Sequence, residues 1–348
     1  MIEVNPTELD LYADQLQRNA NLFADIRAFA VRNCRDTEGM TGILALCAAA
    51  TEEGADNVRD LANAGGSDLL QVSINLQGAA TDYREQDARG AERLLRSYTY
   101  DALPVGYTET DDAGHTGDYS DPSELALDSP ETSTEFETRI QSARDLLGVI
   151  DASSTLYVDI DPTETILDSL SGDWDALSAI ASGYARLAGA NGIDVIGRNI
   201  EYGLDSVSST WNSPAATNFD FLIRGRWVPA IADFVEYCEY SWHVFETLVH
   251  DALGTFDSML RVIGQYVTST AETIKEIVYV ELANSSAMPN LIARLRTLIS
   301  TLRARLWRIV AELTQLLQTA VDRLDRTSDS VRSLRELWDG AGDLMSDA

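Results

Sequence analysis

The sequence predicts an all-α fold in which two long antiparallel helical hairpins pack as a four-helix bundle, with an extra C-terminal helix. Three observations lead to this prediction. Apolar residues recur at three-four spacing through most of residues 1–103, and the same spacing returns between residues 171 and 288. A seven-residue apolar repeat, which is typical of packed helices, follows Pro289. We therefore predict three helical units, 1–103, 171–288 and 289–348.

The first unit, residues 1–103, is predicted to be a hairpin. Asn5 and Pro6 suit a helix N-cap and the first helical position. The stretch "CRDTEGMTG" permits a turn, and Gly65-Gly66 could kink the second helix. Asn19 is the one polar residue in the first seam, and we expect it to fix the register. The two seams are Leu9, Tyr12, Leu16, Asn19, Phe23, Ile26 and Ala30, then Leu69, Val72, Leu76, Ala79 and Tyr83.

Residues 104–170 are predicted to be an acidic, flexible linker. Between Pro104 and Thr138 the chain has ten acidic residues, no lysine and no arginine, with many serine, threonine, glycine and proline residues. Such a segment buries too little apolar surface to offset the entropy lost on ordering. Within the linker, "TRIQSARDLLGVI" suits a short helix and "TLYVDID" a short extended segment.

The second hairpin, residues 171–288, is predicted to turn at Trp211-Asn212-Ser213. Its first helical region begins near Ser171 and has a candidate break at "GANG". Ser213 followed by Pro214 suits a new N-cap and first helical position. A long helix, apolar over much of its surface, then runs to about Ala283.

The last unit, residues 289–348, is predicted to be a single helix with a coiled-coil type of packing face. Four sustained heptads are a strong indication of helix packing. The repeating positions are Leu295, Leu302, Ile309 and Leu316, beside Ile299, Leu306 and Leu313.

The charge of the chain excludes some classes of partner. Twenty-six basic and 56 acidic residues give a formal net charge of −30. Nucleic acid is therefore not an expected partner, because binding a phosphate backbone depends on clustered cations. The N-terminal residues have neither the basic nor the apolar region of a Sec-type signal peptide, and the longest apolar run is shorter than a membrane span. We expect no membrane span.

Two groups of side chains have the spacing of reactive sites, but their surroundings favour structural roles. Residues 159–163, "DIDPT", match the DxDxT motif of haloacid dehalogenase-like phosphatases. That fold also needs later strands that carry a lysine and acidic metal ligands, whereas the downstream pattern is helical. The histidines and the glutamate of "HVFETLVH", residues 243–250, share one helical face, but no matching zinc ligands are identifiable elsewhere. We predict no catalytic residue, no metal and no cofactor.

Two of the three cysteines form a candidate disulfide. Cys34 and Cys47 lie almost symmetrically about the predicted turn of the first hairpin, so they could face each other across its two helices. Such a bridge would leave Cys238 free. The alternative is that Cys34 and Cys47 are two small buried thiols, and the sequence leaves both readings open.

The order of parts resembles a known family. Tyr83 and Asp87 stand one helical turn apart where the apolar seam ends. A helical hairpin that ends in such a Y-x-x-x-D element resembles the substrates of the actinobacterial type VII secretion system. In that family the element acts as an export signal together with the W-x-G turn of a second WXG-type hairpin, which usually belongs to a partner chain. Here the corresponding turn is Trp211-Asn212-Ser213 in the same chain, with Ser213 in place of the glycine. The chain is most similar to the fused, EspB-like form, in which PE-like and PPE-like halves are joined by an acidic loop.

The resemblance implies a function. It implies a non-enzymatic protein that is made in the cytoplasm and carried to the cell envelope or outside the cell. It also implies a composite export signal from Tyr83, Asp87 and the Trp211 turn, read by a membrane-associated secretion ATPase. Relatives of the fused form can form ring-like oligomers, so self-association is a further expectation. Two alternatives remain open, the helical targeting module of a secreted toxin and a cytosolic acidic coiled-coil scaffold.

Overall fold

The computed structural model describes residues 3–97, 119–130, 133–159, 163–283 and 286–346. The described residues are 84% helical, which confirms the all-α prediction. In the described residues one short antiparallel strand pair accompanies the helices, β1 (Glu3–Val4) with β2 (Trp211–Asn212). The helices of the described residues are α1 (Pro6–Asn33), α2 (Ala45–Ser97), α3 (Glu135–Ser154), α4 (Asp175–Ala188), α5 (Asp194–Ser208), α6 (Pro214–Leu222), α7 (Val228–Leu282) and α8 (Met288–Ser346).

Helices α1 and α2 pack against each other in opposite directions. The Ser73 hydroxyl donates to the Ala13 carbonyl at 2.8 Å, and further along the pair Gly66 faces Phe23. Helix α2 is continuous through Gly65-Gly66, so the expected kink is not observed there. A Cβ atom on Gly66 would lie 3.1 Å from the Phe23 Cβ. This glycine therefore serves the close approach of two helices rather than a bend.

Two helix starts agree with the sequence prediction. The Asn5 side chain accepts a hydrogen bond from the Thr7 N–H at 3.1 Å, and the Ser213 hydroxyl accepts one from the Ala216 N–H at 3.0 Å. In both cases proline occupies the next position, where a helix needs no N–H donor. These caps fix where α1 and α6 begin.

Helices α4 and α5 pack against the long helix α7. The Trp174 ring, just before α4, contacts Phe256 at a centroid distance of 5.1 Å, and Tyr184 stacks on Phe245 at 5.8 Å. From the first contact to the second, the residue number rises in α4 and falls in α7, so α4 and α7 are antiparallel. The predicted break at "GANG" separates α4 from α5, and residues 223–227 join α6 to α7 through a π-helical turn.

Side chains and backbone of the two helix pairs hydrogen-bond to each other. The buried Tyr12 hydroxyl of α1 donates to the Ile200 carbonyl of α5 at 3.0 Å. The Tyr237 hydroxyl of α7 donates to the Gly54 carbonyl of α2 at 3.3 Å. Because these contacts are buried and directional, they align each helix of one pair with a helix of the other.

A buried polar cluster lies between α1 and α5. The Asn199 amide donates to the Asn19 side-chain oxygen at 3.0 Å and to the Ser123 carbonyl at 3.1 Å, and it accepts from the Ser123 N–H at 3.1 Å. Asn19 in turn donates to Asp121 at 2.9 Å. The partner of Asn19 is thus on α5 and on the segment near residue 121. The sequence placed Asn19 in a packing seam but did not identify these partners.

Part of the predicted linker 104–170 is packed. Residues 119–130, which we call the strap, lie against α1 and α5 through buried Tyr119 and an ion pair of Asp121 with Arg18 at 3.0 Å. Helix α3 follows, where the sequence predicted a short helix, and it buries one face against α7. These contacts differ from the flexible linker we predicted, because a few well-placed side chains and backbone hydrogen bonds hold an otherwise polar segment. Residues 98–118 lie outside the described residues.

Helix α8 packs along both α2 and α7. Its predicted heptad positions from Leu295 to Leu313 are buried, but beyond them Leu317 is buried in place of Leu316. A straight helix has 3.6 residues per turn, so a strict seven-residue repeat drifts away from the packing face. The backbone carbonyl of Leu317 faces the Cys47 sulfur of α2 at 3.9 Å.

We predict that Asn199→Ala lowers the free energy of unfolding by about 2 to 4 kcal/mol, because it leaves buried partners on α1 and the strap without hydrogen bonds. Denaturant titration of the full chain measures this change. Asn63→Ala, which removes an exposed amide on α2, is the matched control and should change the free energy by less than about 1 kcal/mol. Equal effects of the two substitutions would contradict this role for the cluster.

Candidate functional site

Tyr83 lies on α2 at the edge of its buried stripe. The buried stripe of α2 continues from Leu76 to Ala80, one helical turn further along. Ala79 and Tyr83 lie beside this stripe and are half-buried. Helix α2 continues past Tyr83 to Ser97, so the tyrosine marks the end of the buried seam rather than the end of the helix. Tyr83 therefore presents part of its ring to solvent.

Asp87 is exposed one turn beyond Tyr83. Its charged neighbours on the helix are engaged, Arg84 with Asp10 of α1 at 2.5 Å and Arg89 with Glu85 at 2.7 Å. Asp87 itself makes no ion pair with any residue that the structure describes. Its carboxylate is consequently available to an incoming partner.

The Trp211 turn is held by a short strand pair and a helix cap. Val4 pairs with Trp211, and the Asn5 N–H donates to the Thr210 carbonyl at 3.2 Å, so the chain start is tied to the turn. Trp211 is only 7% exposed and lies 5.5 Å from the Phe219 ring. Ser213, which replaces the glycine of the W-x-G pattern, has an extended backbone with φ of −156°. That conformation suits any residue, so the substitution causes no strain here.

Tyr83 and Trp211 line one groove, which we call the Tyr83–Trp211 groove. It has a volume of about 670 Å³ and lies between α2 and α6. Asp87, Asn212 and Ser213 are not among its lining residues. The two aromatic residues of the predicted signal therefore line the same groove, although they lie more than a hundred residues apart in the chain. The principal apolar walls are Leu76, Ala79, Tyr83, Trp211, Phe219 and Leu222.

Further lining residues were not predicted from the sequence. Phe221 lines the groove and is 66% exposed, and Asn75, Asn218 and Arg226 add polar groups. The Trp211 indole N–H is buried without an acceptor, and Arg226 makes no ion pair within the described ranges. The sequence feature that could have pointed to these lining residues is the pair of arginines in the otherwise apolar stretch "FLIRGRW". Apolar walls with a few unpaired polar groups are typical of a binding site.

A larger cavity of about 820 Å³ lies elsewhere, between the end of α1, the strap, α3 and α4. Its lining combines Arg32 and Arg144 with acidic groups such as Asp36 and Asp173. No residue of the predicted signal reaches it. We favour the smaller Tyr83–Trp211 groove as the candidate site, because it joins two predicted signal residues that are far apart in sequence and contains polar groups without a partner in the described residues.

The two discounted motifs have structural surroundings. Thr163 of "DIDPT" is buried, and its N–H and hydroxyl donate to Asp151 at 2.7 and 2.9 Å. Asp161 lies outside the described residues, and Asp159 is exposed. His243 pairs with Glu246 at 3.5 Å on an exposed helix face. Among the residues described, no group of three or more histidine, cysteine or acidic side chains is placed to hold a metal, and no helix could span a membrane.

The candidate disulfide is not formed, and its two cysteines face different helices. Cys34 and Cys47 are both free and buried. Cys34 packs against Gly183 of α4, whereas Cys47 faces Leu317 of α8. Symmetry about the turn therefore did not bring the two sulfurs together, because each helix directs its cysteine to a different neighbour. Burial raises the pKa of Cys34 and Cys238 well above the usual range and that of Cys47 to about 12.

No family model, curated protein or solved structure matches this chain. The resemblance to type VII secretion substrates therefore rests on the order of sequence elements.

We predict that Cys34, Cys47 and Cys238 in the folded protein react with iodoacetamide at pH 8 at least about a hundredfold more slowly than in denaturant, because buried thiols with raised pKa values remain protonated. Mass spectrometry of timed samples measures the rates. Ser209→Cys, at an exposed position, is the control and should react rapidly. A cross-linked Cys34–Cys47 peptide after oxidative refolding would contradict the observed arrangement.

Proposed function

We propose that this chain is an exported substrate of a type VII secretion system. In this proposal residues 1–103 and 171–288 are PE-like and PPE-like hairpins that pack as one four-helix bundle, so that a single chain replaces the usual heterodimer. The observation that carries the proposal is the shared groove of Tyr83 and Trp211. A tyrosine-acid element occurs often by chance, but a chance element has no reason to meet a tryptophan turn from another hairpin.

The composite export signal has two accessible parts and one structural part. Tyr83 presents part of its ring in the groove, and one turn beyond it Asp87 offers a carboxylate that makes no ion pair within the described residues. Trp211 forms the opposite wall, held by the strand pair with Val4. Because the groove exists only when α2 and α6 lie side by side, a receptor that contacts it would select folded protein over unfolded protein.

The partner proposed for this signal is the secretion ATPase at the membrane. The destination is the cell envelope or the outside of the cell, and the protein acts there without enzymatic activity. Self-association into oligomers after export is part of the proposal, as the fused relatives imply. An ATPase surface that fits the groove would offer apolar side chains to Phe221 and hydrogen-bond donors to Asp87.

A cytosolic scaffold remains the second candidate. Two observations favour it, the formal charge of −30 and the long packed pair of α7 and α8. A helical targeting module of a secreted toxin would use the same signal as the main proposal, so export alone would not distinguish these two. Export does distinguish both from the scaffold.

We predict that Tyr83→Ala and Asp87→Ala each reduce export at least about tenfold while leaving the helical content unchanged. Export should fall because the receptor is proposed to contact both side chains. The helical content should not change because both residues lie at the edge of the packed surface, where substitutions cost little stability. A culture-filtrate blot, made with and without the secretion ATPase, measures export. Circular dichroism melting curves of the purified variants measure the fold.

Matched controls separate the signal from general surface effects. Tyr202→Ala removes a tyrosine that is 48% exposed on α5, and Glu85→Ala removes an exposed acid two residues from Asp87, on the opposite side of α2. Both control proteins should be exported normally. Undiminished export of the Tyr83 and Asp87 variants, or export that does not depend on the ATPase, would refute the proposal.

A further inference from the structure

The N-terminal half of α8 has a charge opposite to that of the rest of the chain. Between Leu282 and Ala311 there are five arginines and no acidic residue. All 56 acidic residues of the chain therefore lie outside this segment, in a protein of net charge −30. Such segregation is not needed for helix formation, since a helix tolerates either sign on its exposed face.

The arginines of this segment differ in their surroundings. Arg294 pairs with Glu276 of α7 at 3.1 Å, and the Arg305 guanidinium lies 5.6 Å from the Tyr266 ring centroid. These two side chains contribute to the packing of α8 on α7. Arg296 and Arg308, in contrast, are exposed and make no ion pair in the described part of the chain.

Arg296 and Arg308 share the outward side of α8 with a tryptophan. Trp307 is 50% exposed, whereas Leu302 and Leu306 point into the packing seam. We call Arg296, Trp307 and Arg308 the basic face. It spans about 18 Å along the helix at 1.5 Å per residue. Between its members the outward side chains Thr297, Ser300, Thr301 and Ala304 are small, and the exposed Arg305 lies over the Tyr266 ring of α7.

The composition of the basic face is that of a protein interface. Tryptophan and arginine are the residues most enriched in interface hot spots. A guanidinium binds a carboxylate through two parallel hydrogen bonds, which gives such a pair both strength and orientation. The small residues between the arginines let another surface approach closely. An anionic protein surface with room for an indole ring would satisfy all three features.

We propose that the basic face of α8 binds the acidic surface of a second copy of this chain. The chain itself supplies the complementary charge in abundance. A second copy carries the same net charge of −30, but its contact can be limited to a few carboxylates placed against the arginines, which leaves the other acidic surfaces further apart. An extended polyanion or an anionic membrane would instead lie along a wide area of the acidic surface. At about 0.15 M salt the screening length is about 8 Å, so repulsion between the remaining surfaces is damped while direct contacts persist. This inference specifies the self-association proposed above, and it holds whether or not the chain is exported.

Sedimentation velocity of the full chain tests the inference. We expect dimers or larger species at about 0.15 M salt and dissociation at about 1 M, where the screening length falls to about 3 Å. The double variant Arg296→Gln/Arg308→Gln should raise the dissociation constant about tenfold or more. Trp307→Ser should weaken association in the same way.

A variant with the same change in net charge provides the control. Arg89→Gln/Arg198→Gln removes two exposed arginines that pair with Glu85 and Asp194 within their own helices. It should associate like the unaltered protein. Circular dichroism melting curves of all variants establish that they are folded.

Three results would overturn the inference. The first is a monomer at both salt concentrations. The second is association that strengthens with salt, which would indicate apolar contact without ion pairs. The third is equal weakening in the two double variants, since it would make net charge rather than the basic face responsible.

Discussion

The buried amide of Asn199 imposes the constraint on which the rest of the arrangement depends. Its hydrogen bonds reach Asn19 on α1 and Ser123 on the strap, so a shift of one helical turn, about 5.4 Å, would leave several buried polar groups without partners. This contact fixes the register of α1 against α5. Because α2 packs on α1 and the Trp211 turn directly follows α5, the same register brings Tyr83 and Trp211 to one groove. The strand pair of β1 and β2 also holds the Trp211 turn in place, because it joins this turn to the residues just before α1.

The features that the sequence predicted well are those set by local chemistry. Caps at Asn5 and Ser213, the break at "GANG" and the apolar period of α8 from Leu295 to Leu313 each depend on residues close in sequence, and each is found where expected. The features that failed depend on distant neighbours. Gly66 serves a close approach to Phe23 rather than a kink, and the packed strap depends on partners some hundred residues away. Composition alone made the strap resemble a linker.

The candidate site was predictable only in part. Tyr83 and Trp211 were identified through the family resemblance, since their spacing within each hairpin is equally compatible with ordinary packing. Phe221 and Arg226 were missed because an exposed aromatic and an unpaired cation are visible only when the packing is known. The separation of charge between α8 and the remainder of the chain is, by contrast, present in the sequence itself. Its meaning depends on knowing which arginines are already paired.

The central claim is that the two hairpins pack so that Tyr83 and the Trp211 turn lie at the same end. Electron spin resonance distances between spin labels at Asp87→Cys and Asn212→Cys test it most directly, because both positions are exposed and the native cysteines are buried. The account predicts a distance of roughly 20 to 30 Å, a few helical turns from the shared groove. If the hairpins were packed in the reverse orientation, the labels would be separated by much of the length of α7, which is about 80 Å for its 55 residues. A measured distance beyond about 60 Å would contradict the account.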